Sequence, residues 1–241
     1  MSILLEVCVD SPEGLAAAIT GGADRVELCS ALELGGLTPT PGLIGQAAVS
    51  PIPVYAMIRP RPGSFVFNEA DIDAMLREID AVRASGLAGV VFGANLANGA
   101  LDHVTLERLV RQCHGLGVTL HRAFDLVPDL AEAVNMAVSL GFERILTSGR
   151  ALTSVEGIHD LERTFAFAAG RIAIMPGSGV NIGNAGMLLD QIPFSEIHSS
   201  CSIAAPLTSQ AARRLGFETA SQKQTSVSLV RALKDYCLRV S

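Results

Sequence analysis

Three short segments of the chain share one arrangement of ionisable and soft side chains. Glu6-Val7-Cys8 and Glu27-Leu28-Cys29 each set a carboxylate two residues before a thiol, and Glu196-Ile197-His198 repeats the spacing with an imidazole. In an extended strand, side chains two apart share a face and lie ~6.6 Å apart along it. Each pair therefore points one way, into whatever that face lines. Thiolates and imidazoles hold soft and borderline metal ions, while carboxylates suit harder ones. Carboxylates beside a histidine also move protons. The plainer account is a set of ion pairs filling an interior, because a buried carboxylate must be paired, protonated or metal-bound.

Other segments add anion-binding chemistry. The run Met57-Ile58-Arg59-Pro60-Arg61-Pro62-Gly63-Ser64-Phe65 carries Arg59 and Arg61 on a proline-stiffened loop. Two guanidinium groups placed so can grip an anion bidentately, or neutralise the carboxylates above. His121-Arg122-Ala123-Phe124-Asp125 sets an imidazole near a carboxylate, an arrangement that can fix one tautomer for proton transfer. Arg59, Arg61 and Arg122 are the expected partners of Glu6, Glu27 and Glu196, with Arg59 reaching Glu6 or Glu27. Thr147-Ser148-Gly149, Gly177-Ser178-Gly179-Val180 and His198-Ser199-Ser200 are runs of small residues that expose backbone N–H groups to an anion, although tight turns need glycine too. No lysine falls on an inward strand face, which argues against Schiff-base chemistry. No GxSxG, P-loop, HExxH or paired CxxC occurs, and no GxGxxG follows the first strand, so no nucleotide cofactor is expected.

These residues sit where short apolar runs alternate with helical patterns. Strands are predicted at Ile3–Val9, Arg25–Cys29, Val54–Arg59, Gly89–Gly93, Val118–Arg122, Arg144–Thr147, Ile172–Met175 and Glu196–Ser199. Helices are predicted at Pro12–Thr20, Gly42–Ala48, Glu69–Ser85, His103–Leu116, Leu130–Leu140, Ser154–Ala168, Asn181–Asp190 and Thr225–Val240. Eight strand–helix units of about 30 residues have the rhythm of an α/β (β/α)8 TIM barrel, one domain over residues 1–241. A doubly wound open sheet is the alternative. Residues 201–224 read as a long loop after the last strand, and 225–240 as a closing helix. In a barrel the outward faces meet helices and the inward faces build core and site. Leu5, Val7, Val9, Val26, Leu28 and Ile197 then face outward, and Glu6, Cys8, Glu27, Cys29, Met57, Arg59, His121, Glu196 and His198 inward. Counted along each strand, Cys8, Cys29, Arg59, His121 and His198 stand nearer the catalytic rim than Glu6, Glu27, Met57 and Glu196.

Composition narrows the partners. Of 241 residues, 49% are hydrophobic and 17% charged, enough to bury a large core and to exclude disorder. Eighteen Lys+Arg against 24 Asp+Glu give a net charge of −6, with no basic block to grip nucleic acid or an anionic membrane. The longest uncharged stretch, Leu34–Ile58, contains Pro39, Pro41, Pro51 and Pro53 and cannot be one lipid-spanning helix. The first ten residues read as no signal peptide. Five cysteines without a CxxC suggest a reduced, cytoplasmic protein. Cys113, His103, His114 and His159 fall on helical stretches and read as surface or packing residues.

Taken together, Glu6-Val7-Cys8-Val9-Asp10-Ser11, Gly22-Ala23-Asp24-Arg25-Val26-Glu27-Leu28-Cys29-Ser30, Gly35-Gly36-Leu37-Thr38-Pro39, MIRPRPGSF (Met57–Phe65), HRAFD (His121–Asp125), TSG (Thr147–Gly149), GSGV (Gly177–Val180) and HSS (His198–Ser200) resemble the CutC family, named for copper homeostasis. The resemblance runs from Leu4 to about Ser200. It implies a TIM barrel, a cytoplasmic location and self-association into a homo-oligomer. It also implies Cu(I) as ligand, with Cys8 and Cys29 as the metal-binding pair, close enough to share an ion.

Two functions are therefore expected to compete. In one, a barrel binds Cu(I) through Cys8 and Cys29 without turnover. In the other, an isomerase, aldolase or lyase type of enzyme acts on a small anionic or phosphorylated molecule, with or without a divalent metal. Its acid–base residues would be Glu6, Glu27, His121 and Glu196. Its substrate would be held by Arg59, Arg61, Arg122, Asp125, Thr147, Gly149, Gly177, Gly179 and His198.

Overall fold

The computed structural model describes residues 3–219 and 221–240. Eight strands alternate with helices along the chain. They are β1 (Leu4–Val9), β2 (Arg25–Leu28), β3 (Val54–Met57), β4 (Gly89–Phe92), β5 (Gly117–Leu120), β6 (Arg144–Thr147), β7 (Ala173–Pro176) and β8 (Glu196–Ser199). All pair in parallel, in the order β7-β6-β5-β4-β3-β2-β1-β8, and β7 closes up to β8 at a seam. The result is a nearly closed (β/α)8 barrel. Around it run α1 (Pro12–Gly21), α2 (Pro41–Ala47), α3 (Glu69–Ser85), α4 (His103–Gln112), α5 (Leu130–Leu140), α6 (Ile158–Ala168) and α7 (Ala185–Gln191).

Local chemistry sets the helix ends. The Ser11 hydroxyl accepts the Gly14 N–H at the start of α1, Pro12 fills the first turn, and Gly22 turns left-handed after it. Asn68 and Asp71 form a reciprocal capping box on α3. Leu5, Val7, Val9, Val26, Leu28 and Ile197, the outward faces, are completely buried in the main apolar core beneath the helices. Inside the barrel, Cys29, Tyr55, Met57 and Val91 form a second apolar cluster of their own. Tyr55 fits because β4 and β5 both begin with glycine. A Cβ on Gly89 or Gly117 would lie 2.3 or 2.2 Å from atoms of the Tyr55 side chain.

Several boundaries differ from expectation. β5 ends at Leu120, and Arg122–Leu126 is a short 3-10 turn whose first hydrogen bonds are closed by His121. α4 stops at Gln112, and α6 and α7 begin later than the apolar periodicity suggests. The segment after β8 carries β9 (Ser202–Ala204), α8 (Gln210–Arg214) and β10 (Lys223–Thr225), with β9 and β10 paired antiparallel, before α9 (Val227–Arg239). Ala220, within the expected loop, lies outside the described residues. Among the described residues no helix is long and apolar enough to cross a membrane.

Candidate functional site

The floor of the barrel is an ion-pair network. Arg25, the first residue of β2, donates Nε to Glu6 Oε2 and Nη2 to Glu196 Oε2 at 2.5 Å. Arg144, the first residue of β6, donates Nε to the same Glu196 oxygen at 3.0 Å and Nη1 to Thr119 Oγ1 at 2.9 Å. Both guanidinium groups lie over the Tyr55 ring, 5.4 and 4.9 Å from its centroid. Glu6 has no exposed surface. Burial alone would raise its pKa, but Arg25 and His198 outweigh that and hold it down at about 2. Glu6 is thus ionised and paired, as a buried charge must be. The partners of Glu6 and Glu196 are Arg25 and Arg144, not the expected Arg59, Arg61 and Arg122, and neither arginine reaches Glu27. Arg25 stands two residues before Glu27 and so shares its face, a signal present in the sequence.

Above this floor, Cys8, Glu27 and His198 converge. One ligand atom from each lies within 4.8 Å of the other two, and all three residues are buried. The strand register brings this about. Cys8 pairs with Glu27 across β1 and β2, and Glu6 pairs with His198 across β1 and β8. The stagger of a tilted barrel makes sequence position along each strand a poor guide to height. The expected order, with both thiols and His198 one layer above the carboxylates, is corrected accordingly. His198 Nδ1 meets Glu6 Oε1 at 2.8 Å, and Nε2 stands 3.9 Å from Glu27 Oε2. Burial disfavours the imidazolium, but Cys8, Glu27 and Glu6 outweigh burial and lift its pKa well above the usual range. Glu27 is shifted upward by burial, against the pull of His198, and its Oε1 has no hydrogen-bond partner.

Cys29 sits beside this cluster rather than in it. Its Sγ contacts Glu27 Oε2 at 3.5 Å, while the side chain packs in the cluster of Tyr55, Met57 and Val91. Burial, with Glu27 and Cys8 adding to it, pushes this thiol far up. Cys8 and His198 also line a cavity of about 290 Å³ at the seam, walled by Ser178–Ile182, Ser199–Ser202, Lys223 and α9. Two non-glycine residues on its wall, Ser178 and Cys201, have φ of 72° and 44°. Such left-handed backbone costs energy and gathers at functional sites.

The rest of the rim divides into used and unused groups. Asp125 receives Thr147 Oγ1 (2.5 Å), Ser148 Oγ (3.0 Å), the N–H groups of Ser148 and Arg150 (3.1 Å each) and Arg122 Nε (2.7 Å). The anion nest at Thr147-Ser148-Gly149 therefore already holds the protein's own carboxylate. Arg122 is further committed to Ser148 Oγ at 2.7 Å. Gly149 is needed because a Cβ there would lie 2.1 Å from Gly157 O, at φ +70°. The Gly177 N–H is taken by Thr147 O at 3.0 Å, whereas Gly179 lines the cavity. Arg61 folds back on its own loop, bound to Asp71 Oδ2 at 2.9 Å and to the carbonyls of Pro62, Ser64 and Val66. Arg59 binds the carbonyls of Leu34, Gly36 and Gly63 at 2.8–3.0 Å and stacks on Phe65, which in turn packs on His121. Arg59 therefore makes no ion pair with Glu6 or Glu27, contrary to expectation. Burial and the nearby Arg59 and Arg122 charges drop the His121 pKa to about 3.

Comparison with other proteins agrees with the architecture. The model of the CutC family matches residues 3–203. A CutC family protein of Sinorhizobium medicae is 56% identical over 96% of this chain and 95% of its own length. A CutC family protein of Caulobacter vibrioides is 60% identical over 82% of this chain and 81% of its own. A crystal structure from Streptococcus agalactiae, whose name ties it to copper homeostasis and CutC, superimposes with a TM-score of 0.78 at 32% identity, covering 82% of this chain and 98% of that one. From Ile3 to Ile203, through the strands that carry the cluster, this chain belongs to the CutC family.

Proposed function

We propose that the protein binds a thiophilic metal ion at the barrel mouth through Cys8, Glu27 and His198, with Cu(I) as the ion in keeping with the family's name. The observation that carries this reading is the convergence of one sulfur, one nitrogen and one oxygen ligand within 4.8 Å, all from buried residues. The supporting residues fit a metal as well. Metal-ligating histidines usually give their second ring nitrogen to a carboxylate, and Glu6 takes that role on His198 Nδ1. Glu27 Oε1 is buried without a partner, as an oxygen awaiting a cation would be. Thiolate and imidazole favour Cu(I) or Zn(II) over magnesium or calcium. Cys29 Sγ lies 3.5 Å from Glu27 Oε2 but outside this ligand set, so the reading takes Cys8 with Glu27 and His198 in place of an isolated Cys8–Cys29 dithiol. Buried thiols of this kind suit a reducing compartment, and we place the protein in the cytoplasm.

An anaerobic Cu(I) competition titration tests the reading. Wild type should bind one equivalent, and Cys8→Ser and His198→Gln should each weaken binding by at least about tenfold, as loss of metal-site partners commonly does. Binding that ignores both substitutions would reject it. One observation favours a second reading, an enzyme acting on a small anion. The cavity beside Cys8 and His198 is about 290 Å³, whereas a water occupies only ~30 Å³. That space fits an organic molecule next to the ion.

A further inference from the structure

Among the described residues four buried side-chain polar atoms lack a hydrogen-bond partner: Glu27 Oε1, Arg59 Nε, Asn95 Oδ1 and His121 Nε2. They belong to the C-terminal ends of β2, β3, β4 and β5 or the residues just beyond, four neighbouring strands on one side of the mouth. Buried polar atoms in folded proteins are paired with few exceptions, so a contiguous group of exceptions at a barrel rim marks a binding surface.

Two of the four are donors that share Phe65 as a neighbour. Arg59 is 5% and His121 2% exposed, and both pack on Phe65. The Arg59 guanidinium carbon lies 4.9 Å from the Phe65 centroid, and the His121 ring lies 4.6 Å from it on a tilted face. His121 Nδ1 accepts the Ala123 N–H at 3.1 Å, which puts the ring proton on Nε2 and aims an N–H donor at no acceptor. Arg59 Nη1 and Nη2 are satisfied by carbonyls, leaving Nε–H. Among the described residues no carboxylate pairs with this guanidinium, so a buried positive charge stands there without its counter-charge. The other two orphans are oxygens: Asn95 Oδ1 follows β4, between the strands of the two donors, and Glu27 Oε1 lies on β2 at one end of the arc.

We infer that this arc binds a small organic carboxylate, whose oxygens accept the Arg59 Nε–H and His121 Nε2–H. The single cation and one neutral donor match one carboxylate rather than a dianion. The two orphan oxygens favour a molecule that also carries a hydroxyl, so the ligand class is a hydroxycarboxylate. Here His121 positions the ligand as a hydrogen-bond donor. The arc is separate from the cavity of about 290 Å³ beside Cys8 and His198, which none of its four residues lines, and it shares only Glu27 with the residues proposed for Cu(I), so it is tested on metal-free protein.

The probe is glycolate, with inorganic phosphate and neutral glycolamide run beside it. Histidine-ring 15N NMR of the metal-free protein reports the His121 Nε2–H directly. Glycolate should give saturable shifts at that resonance in the millimolar range, with phosphate and glycolamide at least tenfold weaker. His121→Phe keeps the stacking on Phe65 and removes the donor, and Arg59→Lys keeps the charge and removes Nε. Each should weaken glycolate binding at least tenfold by calorimetry, in protein whose circular dichroism matches wild type. Because Arg59 also ties down backbone carbonyls, His121→Phe decides the matter if Arg59→Lys does not fold. No saturable glycolate binding, phosphate binding more tightly than glycolate, or binding undiminished in His121→Phe would overturn the inference. The Cu(I) titration is read separately, so either proposal can fail without the other.

Discussion

Replacing Glu6 by glutamine preserves the size of the side chain and deletes its charge, at the point where the ion-pair floor meets the proposed metal site. In the folded protein the group sits fully buried with its pKa at about 2, against an ordinary value near 4.5. A tenfold change in an ionisation constant is worth ~1.4 kcal/mol, so the ionised carboxylate contributes about 3 kcal/mol at neutral pH. A second route gives a similar figure. Breaking a buried pair by removing one partner costs about 3–5 kcal/mol, and Arg25 keeps Glu196, which points to the lower end. For a chain of this length about 1 kcal/mol moves Tm by ~2–4 °C, so Glu6→Gln should melt roughly 6–12 °C below wild type at pH 7. The pH dependence has a definite sign. A carboxylate with a depressed folded pKa stabilises above about 4.5, and that contribution disappears as pH falls toward about 2. The gap between wild type and Glu6→Gln should therefore narrow across that window in urea unfolding. A loss under about 1 kcal/mol at pH 7, or a gap indifferent to acid, would refute the account of Glu6 as a paired, ionised anchor.

Three further outcomes follow from other parts of the site. Asp125→Asn removes a charged acceptor from its donors at the β5–β6 rim and should cost about 2 kcal/mol in urea unfolding, without changing Cu(I) affinity. Gly93→Ala puts a methyl 2.7 Å from His121 Nδ1 and 2.8 Å from Ala123 Cβ, and should destabilise by about 1–3 kcal/mol while shifting the His121 ring resonances. His121 should stay neutral from about pH 8 to about pH 5 by ring-nitrogen NMR. The unfolded chain takes that proton near 6.5 and the folded one near 3, so this residue removes stability as pH falls between those values. A protonation midpoint near 6.5 in the native protein would contradict its burial.

Much of the architecture is legible in the residues themselves. Strict alternation in Leu5-Glu6-Val7-Cys8-Val9 and Val26-Glu27-Leu28-Cys29 separates helix-facing from interior side chains, and the structure buries each where that parity sends it. The same parity places Arg25 inside, yet the loop arginines present themselves as nearer partners for the carboxylates. Arg144 is harder to read, because an arginine opening an apolar strand looks like a solvent-facing end. What parity cannot supply is the stagger between strands. The β1–β2 register, not the count along either strand, sets Cys8 beside Glu27 and leaves Cys29 one step away in an apolar cluster. Loop arginines mislead for a related reason. Arg61 curls onto the carbonyls of its own proline-rich turn, a contact fixed by backbone path, which residue types do not reveal. The orphaned nitrogens of Arg59 and His121 depend on every neighbouring atom and emerge only from the folded chain.

The central claim is that the metal ligands are of mixed kind, a sulfur from Cys8 with the nitrogen of His198 and the oxygen of Glu27. Copper K-edge X-ray absorption on protein loaded anaerobically with one equivalent of Cu(I) tests it most directly. The account predicts a coordination sphere containing both sulfur and nitrogen or oxygen scatterers. A sphere of sulfur alone would mean that Cys8 and Cys29 hold the ion as a dithiol, and would contradict it.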